Sequence, residues 1–237
     1  MAMSSSFSRL QERIREKIEN PGARAVTYVA FGDSVTQGCM ELGVIEYERV
    51  YHQVLKRSVE RRFPGTVFNA INSGFSGDSA VASRVRWERD VFMYKPDLVT
   101  IAFGLNDAHG GPEGVEPFIR SISELVERLR CETDADILLL IPGMMMKRDN
   151  ENVHETHRKI VPDFIRVAEA GYLAMYVEAL RAYANKEQVP CFDSYVLWEQ
   201  MERDGIDIHK RLSNGINHPD PAYHEELGEA LAHKMFS

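Results

Sequence analysis

The 237-residue chain predicts an α/β fold, a three-layer α/β/α sandwich built on about five parallel strands. Short apolar runs rich in Val, Ile, Leu and Phe recur along it, and most are continuous, as in strands covered on both faces. Helical patterns separate these runs from one another. The polar and glycine-rich stretches fall where the runs end, which is where a parallel sheet places its ligand crevice.

The elements follow in order. An amphipathic helix is expected from Phe7, Leu10, Ile14 and Ile18, stopped by Pro21-Gly22, so residues 1–22 read as a helical extension before a single domain at 23–237. The strands are expected at 26–31, 66–71, 98–103, 137–141 and 189–193. Helical segments are expected near 46–62, 79–93, 115–131 and 163–187, with shorter ones at 196–204 and 221–235. The stretch 143–187 is the longest departure from simple alternation, a polar loop and then a helical excursion broken at Pro162. That excursion and the N-terminal helix offer contact surfaces for a homo-oligomer.

Composition bounds the function. Hydrophobic residues make up 44%, enough for one substantial core. A net charge of -8 and a pI near 5.5 supply no global basic field for nucleic acid or an anionic membrane. Cys39, Cys131 and Cys191 are widely spaced and form neither a CxxC pair nor a disulfide framework, which suits a reducing compartment. No apolar run approaches the ~20 residues of a membrane span, and the N-terminus lacks the apolar core of a signal peptide. A cytoplasmic protein is expected.

With strand order 2-1-3-4-5, three loops meet at the switch point: "GDSVTQG" with Ser34, "NSGFSGDS" with Gly74 and Gly77, and "GLNDAHGG" with Asn106 and Asp107. His218 arrives from the C-terminal "NGINHPDPAYH". A serine hydroxyl needs a base, and neutral imidazole is the usual one near neutral pH. A tetrahedral oxyanion needs donors, which a backbone N–H at a glycine and an Asn carboxamide supply. Gly77 and Asp107 read as structural. His224 is a second candidate base, while His154 and His157 read as a solvated face. No His, Cys, Asp or Glu spacing suggests a metal site, and no phosphate-cradling glycine motif suggests a nucleotide cofactor. Met144–Met146 read either as core filling or as an acyl-pocket wall, and Trp87 as packing rather than a sugar-stacking platform.

These four blocks, in this order, resemble the SGNH/GDSL hydrolase superfamily over roughly residues 26–235. The resemblance implies a flavodoxin-like fold and a serine esterase without cofactor or metal. It implies Ser34 as nucleophile, His218 as base, and an oxyanion hole of Ser34 N–H, Gly74 N–H and the Asn106 side chain. "RVRWERDVFMYKPDLVTIAFGLND" is similar to the corresponding stretch of bacterial carbohydrate acetyl esterases through Arg86-Trp87 and Lys95-Pro96-Asp97. The expected substrate is then a short-chain ester, an O-acetyl group on a small molecule or oligosaccharide. A lipase-like or thioesterase-like acylhydrolase is the second reading, and a catalytically weakened domain that binds a glycan or protein is the third.

The family's Asp-x-x-His block is not met, because Gly215 stands three residues before His218. Three groups compete to orient the imidazole: Asn214, a carboxylate from elsewhere such as Asp207 or Asp220, or a backbone carbonyl that leaves a Ser-His dyad.

Overall fold

The apolar runs become strands β1 (Val26–Gly32), β2 (Phe68–Gly74), β3 (Leu98–Ala102), β4 (Asp136–Ile141) and β5 (Cys191–Asp193). All pair in parallel in the order β2-β1-β3-β4-β5, so the chain reverses its direction of travel across the sheet between β1 and β3. The structure, a computed structural model, describes residues 7–237; residues 1–6 of the expected N-terminal segment lie outside them.

Why the central runs in β1, β3 and β4 are largely apolar at successive positions is visible in where successive side chains go. Tyr28, Ala30, Leu98, Leu138 and Leu140 face one cluster with helices α1 (Ser8–Glu19), α3 (Tyr51–Arg62), α8 (Ser194–Arg203) and α9 (Pro221–Phe236). Val29, Phe31, Val99, Ile101, Ile137, Leu139 and Ile141 face the other, with α5 (Val115–Glu132), α6 (Val161–Glu169) and α7 (Tyr172–Lys186). Leu138 and Leu139 are therefore both core residues on opposite faces, and truncating either to Ala costs about 2–5 kcal/mol.

Helix α1 is tied into this core rather than standing off it. Phe7, Leu10 and Ile14 are buried in the first cluster. The Leu10 N–H donates to Asp136 Oδ2 at 2.8 Å and Gln11 Nε2 donates to the Met235 carbonyl at 3.0 Å. In the Lys95-Pro96-Asp97 turn, the buried Asp97 carboxylate accepts from Arg24 Nη1 at 2.7 Å and from the Thr27 N–H at 2.8 Å, fixing the start of β3 against β1.

Three expected helices differ from those found. Helix α3 starts at Tyr51 because residues 38–50 form a folded loop. The 79–93 segment breaks into a 3-10 turn (Ala82–Arg86) and the single-turn helix α4 (Trp87–Asp90). Pro162 opens α6 at a position where its missing N–H costs nothing, and the break falls instead at Gly171, whose left-handed backbone (φ 68°) separates α6 from α7.

Candidate active site

Ser34 is the first residue of the short helix α2 (Ser34–Gln37) at the carboxyl end of β1. The Asp33 carboxylate caps that helix by accepting from the Val35 N–H at 2.9 Å, so the Ser34 N–H is left without a partner among the described residues. Burial pushes the Asp33 carboxyl up to about 7, against the hydrogen bond from Val35, and the neighbouring Asp107 and Asp78 add to the rise.

His218 Nε2 lies 3.0 Å from Ser34 Oγ. Its Nδ1–H donates to the Met40 carbonyl oxygen at 2.8 Å. A carbonyl can only accept, so this bond holds the ring proton on Nδ1 and leaves Nε2 bare to accept from the serine hydroxyl. Burial holds the His218 imidazole below its usual value; the Met40 bond opposes this and nearby His157 reinforces it.

The Met40 carbonyl is presented by a loop folded back on α2. The Cys39 N–H donates to the Ser34 carbonyl at 3.0 Å, Met40 N–H to Val44 at 3.0 Å and Glu46 N–H to Gly38 at 2.8 Å. No side-chain pattern marks such a group, so it was one of three open alternatives in the sequence.

The other two alternatives are displaced. Asn214 does not reach the imidazole: its Oδ1 accepts from the N–H groups of Ile216, Asn217 and His218 at 2.9, 3.0 and 3.0 Å, and its Nδ2 donates to Asn217 Oδ1 at 3.1 Å. It shapes the loop that carries His218 and acts on the backbone of that residue, not on its ring. Asp207 bonds His209 Nδ1 at 2.8 Å, and Asp220 caps α9 through the Tyr223 N–H at 2.7 Å. Gly215 stands in the family's Asp position because its backbone is left-handed (φ 69°), and a Cβ there would lie 2.5 Å from Asn150 Oδ1 and 2.8 Å from Val153 N.

Ser34, Asn106, Asn214 and His218 line one open cleft of about 300 Å³, with Met40, Ser76, Gly77 and His157 among its other walls. Gly74, expected as an oxyanion donor, is not in it. Its N–H donates to Asn72 Oδ1 at 3.0 Å, and a Cβ would meet Gln37 N at 2.1 Å, so it is glycine to let β2 approach α2. Gly77, read from sequence as structural, lines the cleft instead, and its N–H has no acceptor among the described residues. Two glycines within one turn look alike in sequence, and only the chain path separates their roles.

Asn106 Nδ2 donates to the Asp78 carbonyl at 2.8 Å, which spends one of its two N–H bonds and leaves the other for the cleft. Arg86 supports this from below. Its buried guanidinium donates to Asp78 Oδ2 at 2.6 Å, to the Ser73 carbonyl at 2.8 Å and to the Gly32 carbonyl at 2.9 Å, with the Phe31 ring 4.3 Å away. One side chain thus ties the ends of β1 and β2 to the turn carrying Gly77. Asp107 accepts from the Ala80 N–H at 3.0 Å, and burial pushes its carboxyl up to about 7.

The remaining candidates lie elsewhere. His224 is fully buried, its Nδ1 accepts from the Tyr51 N–H at 3.3 Å, and burial pushes it down to about 3. Met144, Met145 and Met146 are all buried, so they fill the core. Trp87 is buried with its Nε1 donating to Ser83 Oγ at 3.2 Å, a packing role. Among the described residues, no three His, Cys, Asp or Glu side chains gather closely enough to hold a metal ion, and no helix is long and apolar enough to cross a membrane.

Known proteins resemble this chain in sequence and in fold. A segment of 45 residues is 40% identical to an acetylxylan esterase of Geobacillus stearothermophilus, covering 19% of this chain and 20% of that protein. Among solved structures, a lipase/acylhydrolase from Enterococcus faecalis superposes with a TM-score of 0.66 at 21% identity, over 89% of this chain and 95% of that one. An acetylxylan esterase from Geobacillus stearothermophilus gives 0.66 at 19% identity, over 92% and 96%. A two-domain esterase active on acetylated mannans gives 0.68 at 19%, over 96% of this chain but 52% of that one. At these identities the superpositions speak for the fold. The family match runs over residues 30–226, and by it the chain belongs to the GDSL-like lipase/acylhydrolase family, a family of carboxylic-ester hydrolases.

Proposed function

We propose that the protein hydrolyses short-chain carboxylic esters, O-acetyl groups on a carbohydrate in particular, through an acyl-enzyme on Ser34. The contact that carries this reading is the 3.0 Å approach of His218 Nε2 to Ser34 Oγ, with the ring's other nitrogen committed to Met40. His218 takes the hydroxyl proton as Ser34 Oγ attacks the ester carbonyl carbon. The carbonyl oxygen becomes an oxyanion, held by the N–H groups of Ser34 and Gly77 and by the free N–H of Asn106. His218 Nε2–H then protonates the departing alkoxide as the tetrahedral intermediate collapses. Water enters, gives a proton to His218 and attacks the acyl-serine carbonyl carbon; as the acyl–Oγ bond breaks, His218 Nε2–H returns that proton to Ser34 Oγ and the acid is released. Among the described residues no carboxylate bonds the imidazole; the Met40 carbonyl keeps the tautomer but brings no full charge.

The substrate class draws support from the acetylxylan and acetylmannan esterases among the similar proteins. A longer acyl group is favoured by one observation, the exposed Leu42, Val44 and Ile160 at the cleft. Release of p-nitrophenol from acetyl, butyryl and octanoyl esters separates the two. The proposal expects the acetyl ester to be turned over fastest and Ser34→Ala to lose at least about 10⁴-fold in kcat. Preference for octanoyl would move the substrate to lipids, and equal rates for wild type and Ser34→Ala would end the acyl-enzyme scheme.

A further inference from the structure

The cleft contains a second imidazole that the acyl-transfer scheme does not use. His157 lines it together with Ser34 and His218. It belongs to the 3-10 turn Glu155–Ile160, whose entry is capped by His154 accepting from the Thr156 N–H at 3.2 Å. His157 is not part of a solvated helical face, as its spacing from His154 suggests; the turn carries it inward, near enough to His218 to disfavour protonation there.

Neither ring nitrogen of His157 has a hydrogen-bond partner among the described residues. Nδ1 is buried with no partner, so Nε2 is the ring's remaining polar atom, and no hydrogen bond occupies it among the described residues. The side chains beside it in the cleft, Ile160 and Phe164, are apolar, as is Ile216. An imidazole nitrogen donates in one neutral tautomer and accepts in the other, and a hydroxyl is the ligand group that satisfies both. An acetyl group has no hydroxyl. On an acetylated carbohydrate the hydroxyls all belong to the alcohol that leaves.

We propose that His157 is a specificity-determining residue that binds a free hydroxyl on the polyhydroxylated alcohol portion of the ester. This rests on the esterase reading above and adds to it which residue recognises the leaving group. The contact is equal in the ground and transition states, so at a pH where His218 is neutral with or without His157 its loss raises KM and spares kcat.

Two esters with the same acetyl group test it: a partly acetylated xylo-oligosaccharide with free hydroxyls, and p-nitrophenyl acetate, whose leaving group has none. His157→Ala is expected to raise KM for the oligosaccharide ester roughly tenfold, the size of one hydrogen bond, while kcat/KM for p-nitrophenyl acetate stays within about twofold. The unchanged second ester also reports an intact fold. His157→Gln, which keeps a donor and an acceptor, is expected to recover most of the loss. An equal fall on both esters, or no change on the oligosaccharide ester, would overturn the assignment. Calorimetric binding of unacetylated xylo-oligosaccharide separates this from failure of the esterase reading. Binding that weakens roughly tenfold in His157→Ala supports the hydroxyl contact even where no ester is cleaved, and wild-type protein that neither binds the sugar nor cleaves its ester refutes it.

Discussion

On one side of the cleft, Ser34, Gly77 and Asn106 stand at the ends of β1, β2 and β3, and each neighbouring polar group is pinned. Asp33 caps the Ser34 helix, the Asp78 carbonyl receives Asn106, and Arg86 joins Asp78 to the ends of β1 and β2. On the other side, His157, Ile160 and Phe164 sit on a 3-10 turn and the start of α6, within the long excursion between β4 and β5. In the proposed mechanism the first side supplies donors that must be in place before the oxyanion forms, so rigidity there is worth rate. The second is the wall proposed to meet the alcohol attached to the acyl group, and a wall borne on a loop varies without disturbing the sheet.

If this contrast is right, the largest losses come from the pinned side. Arg86→Met leaves Asp78 buried without its partner, and both side chains of that pair are nearly inaccessible. The expected cost is about 3–5 kcal/mol in denaturant unfolding, far above any single change at Ile160. Asn106→Ala removes one proposed oxyanion donor and is expected to lower kcat by about 10²–10³-fold with KM little changed, read on p-nitrophenyl acetate.

Asn214 sharpens the comparison, since it orders the His218 loop through three N–H groups and leaves the ring to Met40. Asn214→Ala is expected to cost about 1–3 kcal/mol of stability together with a fall in kcat. Asn214→Asp keeps the three-fold acceptor and is expected to hold kcat within about threefold, whereas a loss as large as that of the alanine would show that Asn217 depends on the amide.

The smallest expected effect is in the pH profile. The proposed base is neutral His218, whose folded value lies below the ordinary one. Its protonation therefore sets an acid limb of kcat/KM at a pH below about 6.5, and the rate rises with pH through that limb to a plateau at neutrality. An acid limb centred above about 6.5 would contradict the buried, carbonyl-bonded ring.

Much of this was readable in advance because it rests on local chemistry. The apolar runs, most of them continuous, required a sheet covered on both faces, Ser34 and Asn106 each followed a strand end, and His218 stood in the C-terminal loop beyond the last strand. What was not readable depends on chain path. Gly74 and Gly77 differ only in which N–H faces the cleft. The Met40 carbonyl is a backbone group without a side-chain signature. His157 has the spacing of a surface histidine until the turn around it is seen. Gly215 marks the missing Asp, yet the clash with Asn150 that excludes a side chain there comes from a loop more than sixty residues away.

The central claim is that His218, held by a carbonyl, activates Ser34. The direct measurement is labelling with a fluorophosphonate, which reacts with an activated serine, followed by peptide mapping of wild type and His218→Ala. The account predicts a stable phosphonyl adduct on the peptide carrying Ser34 in the wild type and almost none in His218→Ala. An adduct on another residue, or equal labelling of Ser34 in both proteins, would contradict it.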